Sequence, residues 1–417
     1  MGRTCLLDSL NMVTDGVATL RKIPPGSFYS IIIDVLQLPT SPSGPFLLRI
    51  SEFVDALELN MYHEQVFQLP SGTALQTIQV LQANSLRQVL VGTDGVTLTE
   101  LLFYSCALDR IPPSIGNMPL LESLTISWCA LRGFSFDAFK RNPKLTALDL
   151  SNNQIETIQP STSIGEEATL AIKNLYLSSN RLSTLDMTTF AKLSAIRMLD
   201  LRHNNLARVV AESSVNWPTM EMLDLSGNQL RTLDLQWLSA PNLGRLILSS
   251  NLFEAIPQRL RRFPNLQLIS LSENNFTGFD IAPLNGLPML NSLDLSVNPA
   301  ARYVRSSRPV LLPMLNNLYV ENCALSRFNT TGIDLPIISF ISLANNNFTV
   351  VPPLVQAFPA MDSFSLQGNP LSCNALRARS ELILSGKLIL GPPHGSSQNC
   401  AAGSITLQNS LSLCCKA

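Results

Sequence analysis

Histidine is scarce in this chain, with copies only at His63, His203 and His394, none of them spaced to share a metal ion. No phosphate loop of the form G-x-x-x-x-G-K-S/T and no G-x-S-x-G nucleophile elbow occurs. The cysteines near the C-terminus lack C-x-x-C spacing, which argues against a zinc site. Catalysis has no constellation to work with, so the sequence predicts a non-enzymatic protein with no cofactor and no metal. Charge is scarce too: 14% of residues are charged, and 29 Lys+Arg against 30 Asp+Glu leave a net charge of −1. Such a balance offers no basic footprint, and nucleic acid is not an expected partner. No run approaches the ~18 apolar residues of a spanning helix. The longest candidates, 28–38 and 382–390, are short and interrupted by polar residues, so no transmembrane segment is expected. What the chain does have is apolar bulk, 46% of 417 residues, enough to bury a large core.

That bulk is periodic. The template L-x-x-L-x-L-x-x-N/C-x-L is met by Leu145, Leu148, Leu150, Asn153 and Ile155, and again by Ile196, Leu199, Leu201, Asn204 and Leu206. Its ninth position recurs at Cys106, Cys129, Asn153, Asn180, Asn204, Asn228, Asn251, Asn274, Asn298, Cys323, Asn346 and Asn369. The gaps run from 23 to 27 residues, and the longest ends at Asn180, where Pro160–Glu167 reads as an inserted loop. The L-x-L alternation is a short strand with every second side chain pointing inward. The ninth residue turns the chain off the strand, where an Asn amide can satisfy backbone groups. One repeat cannot bury its own apolar face, so neighbours stack into a continuous parallel sheet. Strands are therefore expected to be centred near Leu101, Leu124, Leu148, Leu175, Leu199, Leu223, Leu246, Ile269, Leu293, Leu318, Ile341 and Phe364. Upstream the pattern decays: Leu75, Ile78 and Val80 fit with Ala83 in the Asn place, and Val54, Leu57 and Leu59 fit with Tyr62 there. Ile31 and Ile33 mark one more strand.

The predicted fold is an α/β solenoid, a leucine-rich repeat horseshoe with a concave parallel sheet and a Cys-containing C-terminal cap. Residues 1–97 read as an N-terminal cap with degenerate repeats, 98–371 as an array of about 12 repeats, and 372–417 as the cap. Cys106, Cys129 and Cys323 occupy ladder positions and read as buried free thiols. Cys373, Cys400, Cys414 and Cys415 cluster after the last strand and read as a disulfide-stapled end, with one of them available to pair with another chain. Sequons at Asn275, Asn329 and Asn347 are glycosylation candidates in a secreted protein. Met1–Lys22 shows no signal-peptide pattern. An extracellular location is therefore set against a cytoplasmic alternative, an intracellular signalling adaptor tethered by lipid at Gly2 or Cys5.

These repeats resemble those of leucine-rich repeat proteins. The ~24-residue period with a Cys-rich end is similar to Toll-type ectodomains. The array followed by Cys373, Cys400 and the Cys414–Cys415 pair resembles the leucine-rich immune proteins of mosquitoes. The resemblance implies a non-enzymatic extracellular scaffold for protein recognition in innate immunity. Against it stand the missing signal peptide and the plant-like stretch Ile111-Pro112-Pro113-Ser114-Ile115-Gly116.

Template positions three, five and seven point outward from the sheet, with positions two and eight beside them, and form columns on the concave face. Two groups there are candidates for partner binding. Leu102, Tyr104, Trp128 and Tyr176 are apolar or aromatic, and such side chains dominate binding hot spots. Asp149, Asp200 and Asp224 form a carboxylate column, with Arg202 and His203 alongside. Outward Asp224→Ala is expected to cost under about 0.5 kcal/mol. Inward Leu225→Ala is expected to cost about 2–5 kcal/mol.

Overall fold

The computed structural model describes residues 3–14, 16–24, 26–39, 43–161, 169–391, 403–407 and 412–416. They fall into two compact units, Met1–Asn205 with Ala211–Thr219, and Leu206–Val210 with Met220–Ala417. Cys400 and most of the insertion expected at Pro160–Glu167 lie outside the described residues.

Each unit is built on a parallel sheet whose strands are one repeat apart. In the first unit the strands are Thr4–Asn11, Ser30–Gln37, Ala56–Met61, Thr77–Val80, Glu100–Tyr104, Ser123–Ser127, Ala147–Asp149, Asn174–Tyr176 and Met198–Asp200. Each lies parallel to the next. In the second unit they are Met222–Asp224, Arg245–Ile247, Leu268–Ser270, Ser292–Asp294, Asn317–Tyr319, Phe340–Ser342, Ser363–Ser365 and Leu388–Ile389, again parallel in sequence order. All the strand centres expected from the period fall inside these segments, and the degenerate upstream repeats continue the same sheet. The solenoid reading holds.

The register explains the core. Leu148 lies opposite Leu124 on one side and Leu175 on the other, and all three are fully buried. Parallel strands stack identical positions, so each inward leucine meets its counterpart ~4.8 Å away. Behind the sheet, single turns of 3-10 helix and short strands close each repeat. Phe136–Phe139 starts on Ser135, whose hydroxyl accepts from the Asp137 N–H. Met187–Phe190 starts on Asp186, whose carboxylate accepts from the Thr188 N–H. Edge-to-face phenylalanine pairs fill the space between sheet and turns, Phe136 on Phe190 at 5.8 Å among them.

The ninth-position asparagines bridge successive repeats. Asn180 donates to the Leu150 carbonyl of the preceding repeat and to Leu177 and Ser178 of its own, while its Oδ1 accepts from the Ile155 N–H. In the upstream repeats Tyr62 takes this place, its hydroxyl donating to the Val66 carbonyl at 2.7 Å.

Three features depart from the sequence expectations. Cys106 and Cys129 are not free thiols but a disulfide, with Cα atoms 4.6 Å apart. Adjacent ladder positions sit one strand spacing apart, which falls within the reach of a disulfide. Thr4–Asn11, assigned from sequence only to the N-terminal cap, is a further strand of the sheet that pairs in register with Ser30–Gln37 and places Cys5 opposite Ile31. The residue before each ladder position is the third. Gln82, Ser105, Trp128, Asn152, Ser179, His203, Ser250, Glu273, Val297, Asn322 and Asn345 all have φ between 47° and 57°, with Gly227 and Gly368 completing the series. This left-handed step swings the ninth side chain into the core, at a cost of about 1–2 kcal/mol for a residue with a Cβ.

Cys323 is free and buried, as expected, and burial pushes its thiol up to about 11. At the C-terminus, helix Cys373–Arg377 is capped by the Ser372 hydroxyl. Strands Ser404–Thr406 and Ser412–Cys414 pair antiparallel, and Cys373–Cys415 ties the end back to the last repeat. Cys414 is also in a disulfide.

Candidate protein-recognition face

The outward column of the first unit can be followed strand by strand. Leu6, Ile32, Glu58, Gln79, Leu102, Thr125, Asp149, Tyr176 and Asp200 occupy successive register positions. The structure places Leu102 and Tyr176 in this column, both half-buried. Two positions further along its strand Tyr104 is 39% exposed, and Trp128 beyond the end of the next strand is 57% exposed. Their rings meet at 6.2 Å with a 48° tilt. No described segment folds over this pair.

Trp128 owes its exposure to backbone geometry. Its φ of 56° belongs to the left-handed step, so the indole stands out at the rim while Cys129 turns inward to its disulfide. A bulky residue in this region is unusual. The aromatic pair therefore sits on a rung that is covalently closed, a rigid platform for burying apolar area at low entropic cost.

The carboxylate column behaves otherwise. Asp200 is only 3% exposed. Its Oδ1 accepts from the Arg202 backbone N–H at 3.0 Å, and both its oxygens take the Arg202 guanidinium in a fork at 3.0 and 2.9 Å. Asp149 accepts from the Ser151 N–H at 2.8 Å. In the second unit Asp224 is 4% exposed and accepts from the Ser226 N–H and hydroxyl, and Asp294 repeats the pattern with Ser296. The Asp of each L-D-L-S strand thus caps a backbone N–H two residues on. This corrects the expectation for Asp200 and Asp224, which face the sheet's open side but do not present a free carboxylate. Arg202 and His203 are exposed at the same rim.

Sequence reasoning missed Leu6, 70% exposed at the start of the same column, and half-buried Ile32 beside it. The apolar run around Ile32 was the available signal; the strand that carries Leu6 had none of the repeat's spacing. The sequon residues Asn275, Asn329 and Asn347 are all exposed, in the second unit.

Comparison with known proteins agrees with this geometry. Models of the leucine rich repeat match residues 171–237, 241–299 and 144–164. Tsukushi of Gallus gallus, an extracellular leucine-rich repeat protein, is 34% identical over 207 residues, 48% of this chain and 54% of that one. A PH domain leucine-rich repeat protein phosphatase of Rattus norvegicus is 28% identical over 42% of this chain, yet the match covers 10% of its own length, within its repeats. The chain thus spans about half the length of Tsukushi and far less of the phosphatase. Among solved structures, the leucine-rich repeat domain of APL1B, a mosquito immune protein, aligns with TM-score 0.54 at 24% identity, covering 77% of this chain and 87% of that one. The mouse RP105/MD-1 complex aligns with TM-score 0.58 at 18% identity, covering 90% and 68%. At these identities the structural likeness speaks for the fold. Period, register, asparagine ladder and matched models together identify this chain as a leucine-rich repeat solenoid, similar to extracellular proteins built the same way.

Proposed function

We propose that this chain is an extracellular scaffold that binds a protein ligand on the exposed sheet face of its first unit, centred on Tyr104 and Trp128, in an innate-immune role. The observation that carries the reading is the exposed aromatic pair on a disulfide-closed rung. Exposed aromatics packed on a rigid sheet are the usual anchors of protein interfaces. Disulfides at Cys106–Cys129 and Cys373–Cys415 support an oxidising compartment and weigh against the cytosolic adaptor. Cys5 sits half-buried within a strand, a poor position for acylation. Because Cys373 and Cys415 bond to each other, a partner linked through either of them would first have to exchange with that bond. The immune role rests on the likeness to APL1B, and glycans at Asn275, Asn329 and Asn347 fit the same compartment.

The test uses a Tyr104→Ala/Trp128→Ala double mutant and a partner captured from the native extracellular fluid. Two hot-spot truncations of about 2 kcal/mol each should weaken binding by roughly a thousandfold where they add. Unchanged affinity in a variant with native circular dichroism would remove this face from consideration.

A further inference from the structure

Every basic side chain between Met220 and Gly386 is an arginine: the stretch has eleven Arg and no Lys, against eleven Asp and Glu. Several of these arginines converge on one small sheet behind the repeats. Phe279–Asp280, Tyr303–Arg305 and Arg327–Phe328 lie parallel, with Tyr303 opposite Arg327 and Asp280 opposite Arg305. Val304 and Phe328 point into the core, which turns Tyr303, Arg305 and Arg327 outward. Arg302 precedes this strand, and its carbonyl accepts from the Ser326 N–H, holding it beside Arg327. Arg308 follows it. All four arginines are exposed.

The site is built rather than incidental. Tyr303 lies against Gly278, where a Cβ would come within 2.6 Å of its ring atoms, so only glycine admits it. The Arg305 guanidinium rests over that ring at 5.2 Å, which restrains a side chain that would otherwise be free to wander. The nearest carboxylate is already spent: Asp280 Oδ1 accepts from the Ala282 N–H at 3.1 Å and the Ser307 N–H at 3.0 Å. Several other exposed arginines are paired, as Arg110 with Asp109, Arg181 with Glu156 and Arg231 with Glu254. Among the described residues, none of Arg302, Arg305, Arg308 and Arg327 has an acidic side chain within ion-pair distance. Asp280, opposite Arg305, offsets part of this charge, and the remaining like charges are unfavourable together unless a ligand supplies the anions.

We propose that this arginine strip binds a linear sulfated polysaccharide. Arginine's planar fork matches oxyanions in two-pronged fashion, which lysine cannot do. Arg302, Arg305 and Arg308 follow one another along one repeat and Arg327 flanks them on the next strand at the ~4.8 Å spacing, a row suited to a polymer with closely spaced anions. A single-stranded nucleic acid would call for open aromatic platforms, but here Tyr303 is half-buried under Arg305. The strip lies apart from Tyr104 and Trp128 in the chain, so the proposal stands whether or not that face binds a protein.

The experiment is chromatography of the full chain on immobilised heparin, beside an R302Q/R305Q/R327Q variant and an R110Q/R181Q control. The wild type should be retained at about 0.15 M salt despite a sequence pI near 6.3. The triple variant should bind about tenfold more weakly or worse, with a shallower dependence on salt, while the control elutes with the wild type. Native thermal melting of the triple variant verifies its fold. Should it melt early, competition decides instead: sulfated heparin must displace the wild type from the column and desulfated heparin must not. The proposal is overturned by a wild type that flows through, by a natively folded triple variant that elutes unchanged, or by equal retention on single-stranded DNA or phosphatidylserine vesicles.

Discussion

Truncating one rung of the asparagine ladder should damage the fold more than its single side chain suggests. Asn251 is 4% exposed. It donates to the carbonyls of Leu225, Leu248 and Ser249 at 2.9, 3.1 and 3.1 Å, and accepts from the Leu230 N–H at 3.0 Å. In Asn251→Ala the Leu230 N–H is orphaned beside a fully buried side chain, costing about 1–3 kcal/mol. The Ser249 carbonyl keeps the Gly227 N–H. The Leu225 carbonyl keeps the Asn228 amide and the Leu248 carbonyl the Asn274 amide, so the cost falls mainly on the orphaned N–H. The expected total is about 2 kcal/mol, or roughly 4–8 °C in melting temperature for a unit near two hundred residues. Asn251→Asp separates this account from simple cavity formation. It keeps the shape and the acceptor but removes the donor and sets a carboxylate against three carbonyls. At pH 7 it should be less stable than the alanine variant. That order should narrow or reverse as pH falls, because protonation restores one donor and lowers the cost of burying the group. Denaturant unfolding of the oxidised chain by far-UV circular dichroism, with exposed Gln229→Ala as control, measures all three. An alanine variant within about 1 kcal/mol of wild type, or an aspartate variant milder than alanine at pH 7, would refute the reasoning.

Two further outcomes follow from the register and the turn. Leu225→Ala, fully buried, should cost about 2–5 kcal/mol, and Asp224→Ala about 1–3 kcal/mol because the Ser226 N–H loses its acceptor; a negligible Asp224 effect in equilibrium unfolding would show that the carboxylate does not cap the strand. Val297 holds a left-handed φ of 57° while 40% exposed, so Val297→Asn should raise stability by about 1 kcal/mol, and a lower denaturation midpoint would count against strain there.

Much of the fold was legible because the repeat states it many times over. A strand centred on Leu148 is a weak inference alone, but the same spacing at Leu124, Leu175 and Leu199 leaves little room for another reading. What escaped was local conformation and pairing. The left-handed step is invisible when Ser, Trp, His, Glu and Val fill it, since only Gly227 and Gly368 advertise positive φ. Cys106 and Cys129 each matched the template as substitutes for Asn, and their fault as a prediction was to be read singly. The same position in consecutive repeats already places two Cα atoms within bonding reach. The candidate site was half legible. Exposure of Tyr104 and Trp128 follows from inward–outward alternation and its turn. The burial of Asp200 and Asp224 follows from a hydrogen bond to a backbone N–H, which residue type alone does not reveal.

The Cys106–Cys129 rung also changes how the molecule would respond to tension. Asparagine rungs join only neighbouring repeats, so a chain pulled from its ends can peel one rung at a time. The covalent rung cannot peel. Its 23-residue loop would stay hidden from extension, shortening the stretched contour by about 80 Å, while a peeling front passes it by way of the S–S bond. Trp128 lies inside that loop, so the anchor of the recognition face stays tied to its neighbouring strand after adjacent repeats have let go. In a single-molecule pulling trace the extension step of this loop would appear only with a thiol reductant present, marking the rung as a locked segment of the chain.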